Sequence, residues 1–255
     1  MRRALTLILV LSLFLAIPSA AAAAQVATRV YYAGPAGAVR QALTLAGFTL
    51  VDDPAQAQAI VLNGVIPDGA AIAARVRAGA GLVLILGPNL TAAEVGTLLG
   101  VPVGLERRET PLSLTTARGT SHPLLAEVAW ASAPQVRERF ALVSPASDLL
   151  PLVLGLEEDA LILGMRQVGQ GQVYVFTPFL DAANPQIQQW ACFNYLIYYL
   201  TARSAGATPL SFADYQASPV PHARDRAILI GLLAAMLLGT GVIFLAVRRE
   251  KAHRT

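Results

Sequence analysis

The chain has 255 residues, of which 55% are hydrophobic and 14% are charged, and its formal net charge at neutral pH is +3. The positive charge lies at the two ends, because residues 25–223 hold eleven Arg and no Lys against fourteen Asp and Glu, a net charge of −3. An acidic central part argues against a basic nucleic-acid-binding groove, and we predict no nucleic-acid partner. The single cysteine, Cys192, excludes an intrachain disulfide.

Residues 1–24 have the pattern of a secretory signal peptide. Two Arg follow Met1, an apolar run extends from residue 5 to residue 18, and small residues follow as far as residue 24. The apolar run is shorter than the ~20 residues that span a bilayer. We predict cleavage near Ala24, and an uncleaved N-terminal anchor is the alternative.

A second apolar segment predicts a membrane span near the other end. The segment from Ala227 to Val247 contains no charged residue and is long enough to cross ~30 Å of hydrocarbon as a helix. The tail, residues 248–255, carries four basic residues against one acidic residue, which predicts a cytoplasmic tail. The chain is therefore predicted to be a single-pass protein of the cell membrane. Residues 25–202 form one domain outside the cytoplasm, and residues 203–226 form a Pro-rich tether.

Strands alternate with helices in the first half of this domain. We predict strands at residues 29–32, 48–51, 58–62 and 82–86, and helices at residues 38–46, 68–78 and 91–99. Asp68 is an N-cap residue, and Thr91 with Glu94 forms a capping box. The alternation predicts a parallel sheet, and the continuous apolar run LVLIL predicts a central strand covered on both faces.

The second half of the domain has a weaker pattern. Residues 101–160 are rich in Pro and Ser, with a strand signal near residues 140–143. Strands at residues 160–165 and 172–177 are predicted to form a hairpin, because Gly169-Gln170-Gly171 lies between them. One apolar helix over residues 184–202 is predicted to close the domain.

Several segments together resemble a known superfamily. Residues 76–89, VRAGAGLVLILGPN, look like the helix, paired glycines and apolar strand of class I glutamine-amidotransferase-like domains. The His122-Pro-Leu segment and the late strand at residues 171–178 are similar to later parts of such domains. The resemblance covers residues 27–202. It implies an α/β fold, a flavodoxin-like or amidotransferase-like three-layer domain with a parallel sheet and a late hairpin.

Catalytic members of that superfamily carry a Cys in a tight Gly-x-Cys-x-Gly turn after a central strand. The corresponding turn here is Gly87-Pro88-Asn89-Leu90, which contains no Cys, Ser or His. The resemblance therefore implies the fold without a catalytic nucleophile, and we predict no enzymatic activity, no metal and no cofactor. Non-catalytic domains of this kind occur in bacterial membrane proteins, including relatives of aerotolerance proteins and auxiliary subunits of gliding-type ABC transporters.

Three polar residues are candidates for ligand binding. Asp52, Asn63 and Asn89 each follow a predicted strand, and ligands often bind outside the carboxyl ends of parallel strands. The alternative for Asp52 and Asp53 is a simple turn before Pro54. No catalytic residue is predicted.

Other reactive residue types are scattered along the chain. Cys192 has no charged residue within four positions, which favours a buried core cysteine. His122 precedes Pro123, where a turn or capping role is favoured over catalysis. Three scattered His with one Cys make no metal-ligand pattern. The run Glu157-Glu158-Asp159 is either a Ca²⁺ surface site or a solvated hairpin corner.

Small residues in the predicted membrane helix suggest a partner. Gly231, Ala235 and Gly239 recur every four residues, and such a stripe permits close packing against another helix or a second copy. Three functions stay open: a non-enzymatic subunit of a bacterial membrane complex, a ligand-binding or sensing module, and an extracytoplasmic hydrolase. The missing nucleophile, the tether and the stripe favour the first.

Overall fold

A computed structural model describes residues 28–143 and 149–217. Four sequence predictions fall outside these ranges: the signal peptide at residues 1–24, the membrane span at 227–247, the tail at 248–255, and the small residues Gly231, Ala235 and Gly239. No helix within the described residues combines the length and the apolar character that a membrane crossing needs.

The described residues form ten strands and seven α-helices, with single 3₁₀ turns at Pro54–Gln56 and Trp130–Ser132. The strands are β1 (Arg29–Ala33), β2 (Thr49–Val51), β3 (Ala59–Asn63), β4 (Gly81–Ile85), β5 (Gly104–Arg108), β6 (Leu114–Thr116), β7 (Arg139–Val143), β8 (Leu150–Gly155), β9 (Leu161–Val168) and β10 (Gly171–Phe176). The helices are α1 (Ala38–Leu45), α2 (Gly69–Arg77), α3 (Ala92–Leu99), α4 (Pro123–Glu127), α5 (Pro185–Gln189), α6 (Phe193–Ser204) and α7 (Phe212–Ala217). The elements predicted in the first half are confirmed to within one residue.

Eight strands form one mixed sheet in the order β2-β1-β3-β4-β10-β9-β8-β6. The first five strands of this order are parallel, with β10 beside β4. The remaining three are antiparallel, and β9 and β10 form the predicted hairpin. The parallel part has the order 2-1-3-4-5 of flavodoxin-like sheets when β10 is counted fifth.

Helices cover both faces of the parallel strands. Every residue of β3 and β4 is buried, and their side chains alternate between two apolar clusters. Val83 and Ile85 pack on the face covered by α1 and α6, whereas Leu82 and Leu84 pack on the face covered by α2 and α3. The predicted three-layer arrangement is confirmed.

Side-chain caps define the ends of two helices, as predicted. The Asp68 carboxylate accepts a hydrogen bond from the backbone N–H of Ala71 at 3.0 Å, at the start of α2. At the start of α3, Thr91 N–H donates to the Glu94 carboxylate at 2.8 Å, and Glu94 N–H donates to the Thr91 hydroxyl at 3.3 Å. These bonds satisfy backbone donors that have no partner within the helix.

The predicted single helix over residues 184–202 is wrong, because two helices occupy this segment. Trp190 ends α5 in an extended conformation, and α6 begins only after Cys192. The break lets the Trp190 ring pack against Trp130, with the ring centroids 5.7 Å apart. The Trp190 indole N–H also donates to the Ser132 hydroxyl at 3.1 Å. Tertiary packing of a large ring therefore overrides the helical pattern.

The packed domain extends beyond residue 202, where the tether was predicted to begin. Helix α6 continues to Ser204, and residues 207–217, here named the strap, turn back along it. Two tyrosines fix Leu210. The Leu210 N–H donates to the Tyr198 hydroxyl at 2.9 Å, and the Tyr195 hydroxyl donates to the Leu210 carbonyl at 2.9 Å. The Phe212 N–H donates to the Glu127 carboxylate at 2.8 Å. The described part of the predicted tether is thus docked on the domain, and residues 218–226 lie outside the described ranges.

Aromatic packing is expected to hold the strap in place. The Tyr215 ring lies 4.8 Å from the Tyr198 ring and 5.4 Å from the Tyr195 ring, and such pairs contribute about 0.5–1.5 kcal/mol each. We expect Tyr215→Ala to raise amide hydrogen exchange in residues 207–216 of the purified full-length chain. Gln216→Ala, at an exposed position of the same helix, is the matched control. Equal exchange in the two variants would show that these rings do not hold the strap.

Candidate functional site

The loops that follow β1, β3, β4 and β10 meet at the carboxyl edge of the parallel strands. They enclose a cleft of about 250 Å³, here named the edge cleft. Its lining consists of Pro35, Asn63, Gly64, Val65, Leu86, Gly87, Pro88, Asn89, Phe179, Leu180 and Asp181. The cleft therefore brings together two of the predicted ligand-binding residues, Asn63 and Asn89.

Two glycines set the width of this edge between β3 and β4. A Cβ atom built on Gly87 would lie 2.5 Å from the Cα of Gly64, closer than real Cβ contacts allow. Gly64 itself has a φ of +72°, in the left-handed region that glycine adopts without strain. Position 87 therefore has no room for a side chain.

A small hydrogen-bond network fixes the Asn63 side chain at the base of the cleft. The Tyr32 hydroxyl donates its proton to the carbonyl of Pro35 at 2.7 Å. Its oxygen therefore accepts a hydrogen bond from the Asn63 Nδ2–H₂ group, at 3.4 Å. Burial raises the pKa of Tyr32, with the Asn63 hydrogen bond and the charge of Arg40 acting against the rise. The tyrosine is therefore neutral at physiological pH, and its hydroxyl links the Asn63 amide to the carbonyl of Pro35.

The charge of the cleft comes from Asp181 on its rim. Asp181 is exposed, and its Oδ1 accepts a hydrogen bond from the N–H of Ala183 at 2.8 Å. No other lining residue carries a charge. Asn89 is exposed on the opposite loop. The site is thus an apolar cleft with two amides and one carboxylate.

The third predicted ligand-binding residue lies elsewhere on the same edge. Asp52 is exposed after β2 and does not line the edge cleft, because β1 stands between β2 and the cleft-forming strand β3. Its neighbour Asp53 caps the turn at Pro54, accepting the N–H of Ala55 at 2.8 Å. The turn alternative therefore describes the local structure of this pair.

His122 lies at the start of α4, where its Nδ1 accepts the N–H of Leu124 at 3.3 Å. The predicted capping role is confirmed. Its Nε2 lies 3.4 Å from the buried Tyr174 hydroxyl, and its ring packs edge-on against Tyr174 and Tyr199. Burial, and secondly the charge of Arg203, lower the pKa of His122. The imidazole is therefore held neutral in a packed cluster.

Cys192 is buried, as predicted, with 5% of its surface exposed. It immediately precedes α6 and lies in the apolar cluster on that face of the sheet. A thiol in such surroundings has no access to a substrate.

The acidic run at residues 157–159 serves a buried cation. Arg139 has no exposed surface, and its Nη2 lies 2.6 Å from the Glu158 carboxylate while its Nη1 donates to the carbonyl of Thr110 at 2.8 Å. Glu157 accepts the N–H of Ser113 at 2.9 Å. The run lies in the exposed turn between the antiparallel strands β8 and β9. It is therefore the solvated hairpin corner, and two of its three side chains also bond to the domain.

A wider depression between α2 and α3, of about 520 Å³, is an open groove lined by Arg77 and by residues 92, 93, 96, 97 and 100–103. It lies away from the carboxyl ends of the strands, where open α/β sheets bind ligands. We therefore regard the smaller edge cleft as the candidate functional site.

Sequence reasoning missed Tyr32 and Asp181 as members of this site. Both lie in or just after a predicted strand, and the signal was their position at a strand's carboxyl end. The position of β10 beside β4, which brings Asp181 to the cleft, had no counterpart in the sequence pattern.

No protein-family model matches the chain, and no curated protein matches it. Among solved structures, a cytoplasmic protein from Salmonella typhimurium LT2 is similar with a TM-score of 0.54 at 14% identity, over 69% of this chain and 98% of that one. A second cytoplasmic protein from Salmonella typhimurium has a TM-score of 0.52 at 13% identity, over 68% and 97%. A ThuA-like protein from Parabacteroides merdae has a TM-score of 0.46 at 13% identity, over 72% and 91%. The first two similarities show the fold alone, a mostly parallel α/β sheet of the flavodoxin-like class.

The contact between Gly64 and Gly87 predicts a stability effect. We expect Gly87→Ala to lower the free energy of unfolding of the full-length chain by about 1–3 kcal/mol, because the new methyl group overpacks backbone that cannot move away. Gly69→Ala is the control, since its Cβ would meet only the side-chain end of Ile66 at 3.4 Å. Thermal unfolding measures both, and equal stability of the two variants would contradict the steric account.

The lowered pKa of His122 predicts a pH effect on stability. The unfolded state binds a proton at this position more readily than the folded state, so stability is full above the ordinary pKa of 6.5 and falls as the pH drops below it. We expect His122→Asn, which keeps a capping side chain, to show a weaker loss of stability between about pH 7.5 and pH 5. Chemical unfolding at both pH values measures the difference, and parallel losses in the two proteins would exclude His122 as the source.

Proposed function

We propose that this chain is a non-catalytic, amidotransferase-like subunit of a bacterial membrane complex. Its domain stands outside the cytoplasm, its membrane helix contacts a partner, and the edge cleft is its recognition site. The strap holds the membrane-proximal end of the domain close to α6, so that the free tether is shorter than the sequence pattern implied.

The turn after β4 is the observation that carries this proposal. In catalytic relatives this turn holds the nucleophile, whereas here it reads Gly87-Pro88-Asn89. The Gly87 backbone packs against Gly64, and the cleft beside it offers Asp181 as its only titratable side chain. Nucleophilic catalysis needs an activated nucleophile and a base within hydrogen-bond reach, and these residues do not supply that pair.

A ligand-binding module is the second candidate, and the buried amide of Asn63 favours it. Only 6% of Asn63 is exposed, yet it lines the edge cleft and its single hydrogen bond within the described chain uses Nδ2. Its amide oxygen is not among the fully buried, unpartnered polar atoms of the described residues, and it is left as an acceptor for a ligand. A cleft with such an acceptor is suited to recognising a small polar group.

Extraction of the tagged full-length chain from its native membrane in mild detergent tests the first candidate. We expect a membrane protein to co-purify in a fixed ratio, as measured by mass spectrometry. Ala235→Leu should reduce its recovery several-fold, because a larger side chain in the small-residue stripe prevents close helix packing. Ala234→Leu is the matched control, since on the helix predicted from the sequence this position would face about 100° away.

Two results would contradict the subunit proposal. One is a solitary protein in the extract. The other is a co-purifying protein whose recovery falls equally in the two leucine variants, since general damage to the helix would then explain the loss. Either result would leave the ligand-binding candidate as the better account.

A further inference from the structure

We infer that the edge cleft binds a small organic amine, an ammonium group attached to a compact apolar body. The inference rests on the ligand-binding candidate above and names the chemistry of its ligand. It is carried by the amide of Asn63, one carboxylate and an apolar wall, all belonging to residues that line the same cleft.

The first element is the amide oxygen of Asn63. The Tyr32 hydroxyl has a single proton, which it donates to Pro35, so the Asn63 group facing Tyr32 must be the NH₂ group. This assignment leaves Oδ1 as an acceptor that takes no hydrogen bond from the described residues, in a residue that is 6% exposed. A ligand group that contacts Oδ1 must therefore be a donor, and the second N–H of Nδ2 is left for an acceptor.

The second element is the carboxylate of Asp181. Its Oδ1 is engaged by the N–H of Ala183, and Oδ2 is available on the rim of the cleft. Because Asp181 carries the only charge among the lining residues, the cleft attracts a cation and disfavours phosphate or carboxylate ligands. Hydrogen bonds from an ammonium group to a carboxylate are about twice as strong as neutral ones.

A neighbouring cation does not cancel this charge. The Arg107 guanidinium lies 5.9 Å from the centre of the Phe179 ring, on the ring that forms one wall of the cleft. Arg107 is paired with Glu109 at 3.2 Å and also contacts the Glu138 carboxylate. Its positive charge is therefore matched by two acidic side chains outside the cleft.

The third element is the apolar wall, which limits the size of the ligand. Leu86, Phe179 and Leu180 are buried, and Val65 is 44% exposed on the rim. The volume of about 250 Å³ is below the ~300–1,000 Å³ of sites for drug-sized molecules. The cleft thus suits a phenylalkyl or short branched alkyl group that carries its ammonium at one end.

The test uses phenethylamine as the probe and the full-length chain in detergent micelles. Binding is measured by saturation-transfer NMR titration, with 2-phenylethanol as the uncharged analogue of equal size. Asp181→Asn is the test variant, because asparagine keeps the oxygen that accepts the N–H of Ala183. Asp53→Asn is the matched control, since Asp53 accepts the N–H of Ala55 at the same 2.8 Å in the same kind of turn but does not line the cleft.

We expect phenethylamine to bind at least tenfold more tightly than 2-phenylethanol. Asp181→Asn should weaken amine binding about tenfold, as expected for loss of a charge-assisted hydrogen bond, while Asp53→Asn leaves it within about twofold of wild type. Phenethylamine partitions into micelles equally in samples of wild type and of the two asparagine variants. This partition therefore cancels when their affinities for the amine are compared. Equal affinity for amine and alcohol, absence of amine binding at millimolar concentration, or equal effects of the two asparagine variants would overturn the inference.

A further titration with Nα-acetyl-lysine amide identifies the source of the amine. Tighter binding of phenethylamine indicates a free small molecule, and tighter binding of the lysine derivative indicates a lysine side chain of a partner protein. Both outcomes support recognition of an ammonium group. These affinities do not depend on whether a membrane partner co-purifies, so failure of this inference and failure of the subunit proposal are separable.

Discussion

Burial of β3 and β4 on both faces is the constraint on which the rest of the fold depends. Every residue of these strands is buried, so each face needs a layer of helices, and the connections between parallel strands supply them. The side chains alternate between the two layers, which leaves no polar face in the middle of the sheet. The polar residue of β3, Asn63, consequently lies at the carboxyl end of its strand, where it lines the edge cleft.

The same constraint explains why the edge cleft is narrow and apolar. Gly64 and Gly87 let the loops after β3 and β4 approach each other at backbone distance. Asn63 extends the buried end of β3 into the cleft and keeps one acceptor directed away from Tyr32. A cleft of this kind fits recognition through hydrogen bonds and apolar contact, which is the common element of the two proposed functions.

Local signals predicted the first half of the fold well, because they act over a few residues. The Thr91–Glu94 capping box and the apolar run of β4 need no knowledge of distant neighbours. By contrast, β8 contains Pro151 beside a register shift, and its short partner β6 has little pattern of its own, so both were missed. Contacts between distant segments could not be predicted either, because they depend on strand order, which the sequence pattern does not contain. Examples are the Arg139–Glu158 pair, the strap held by Glu127, and the placement of Asp181.

The central claim is that the edge cleft is the recognition site of a non-catalytic domain. Photo-crosslinking in the native membrane tests it most directly, with the photoreactive residue placed at Val65 on the cleft rim or at Leu156, which is 62% exposed and does not line the cleft. The account predicts a specific adduct, either a protein or a small molecule by mass, from position 65 and none from position 156. An adduct from position 156 alone would place recognition elsewhere and contradict the account.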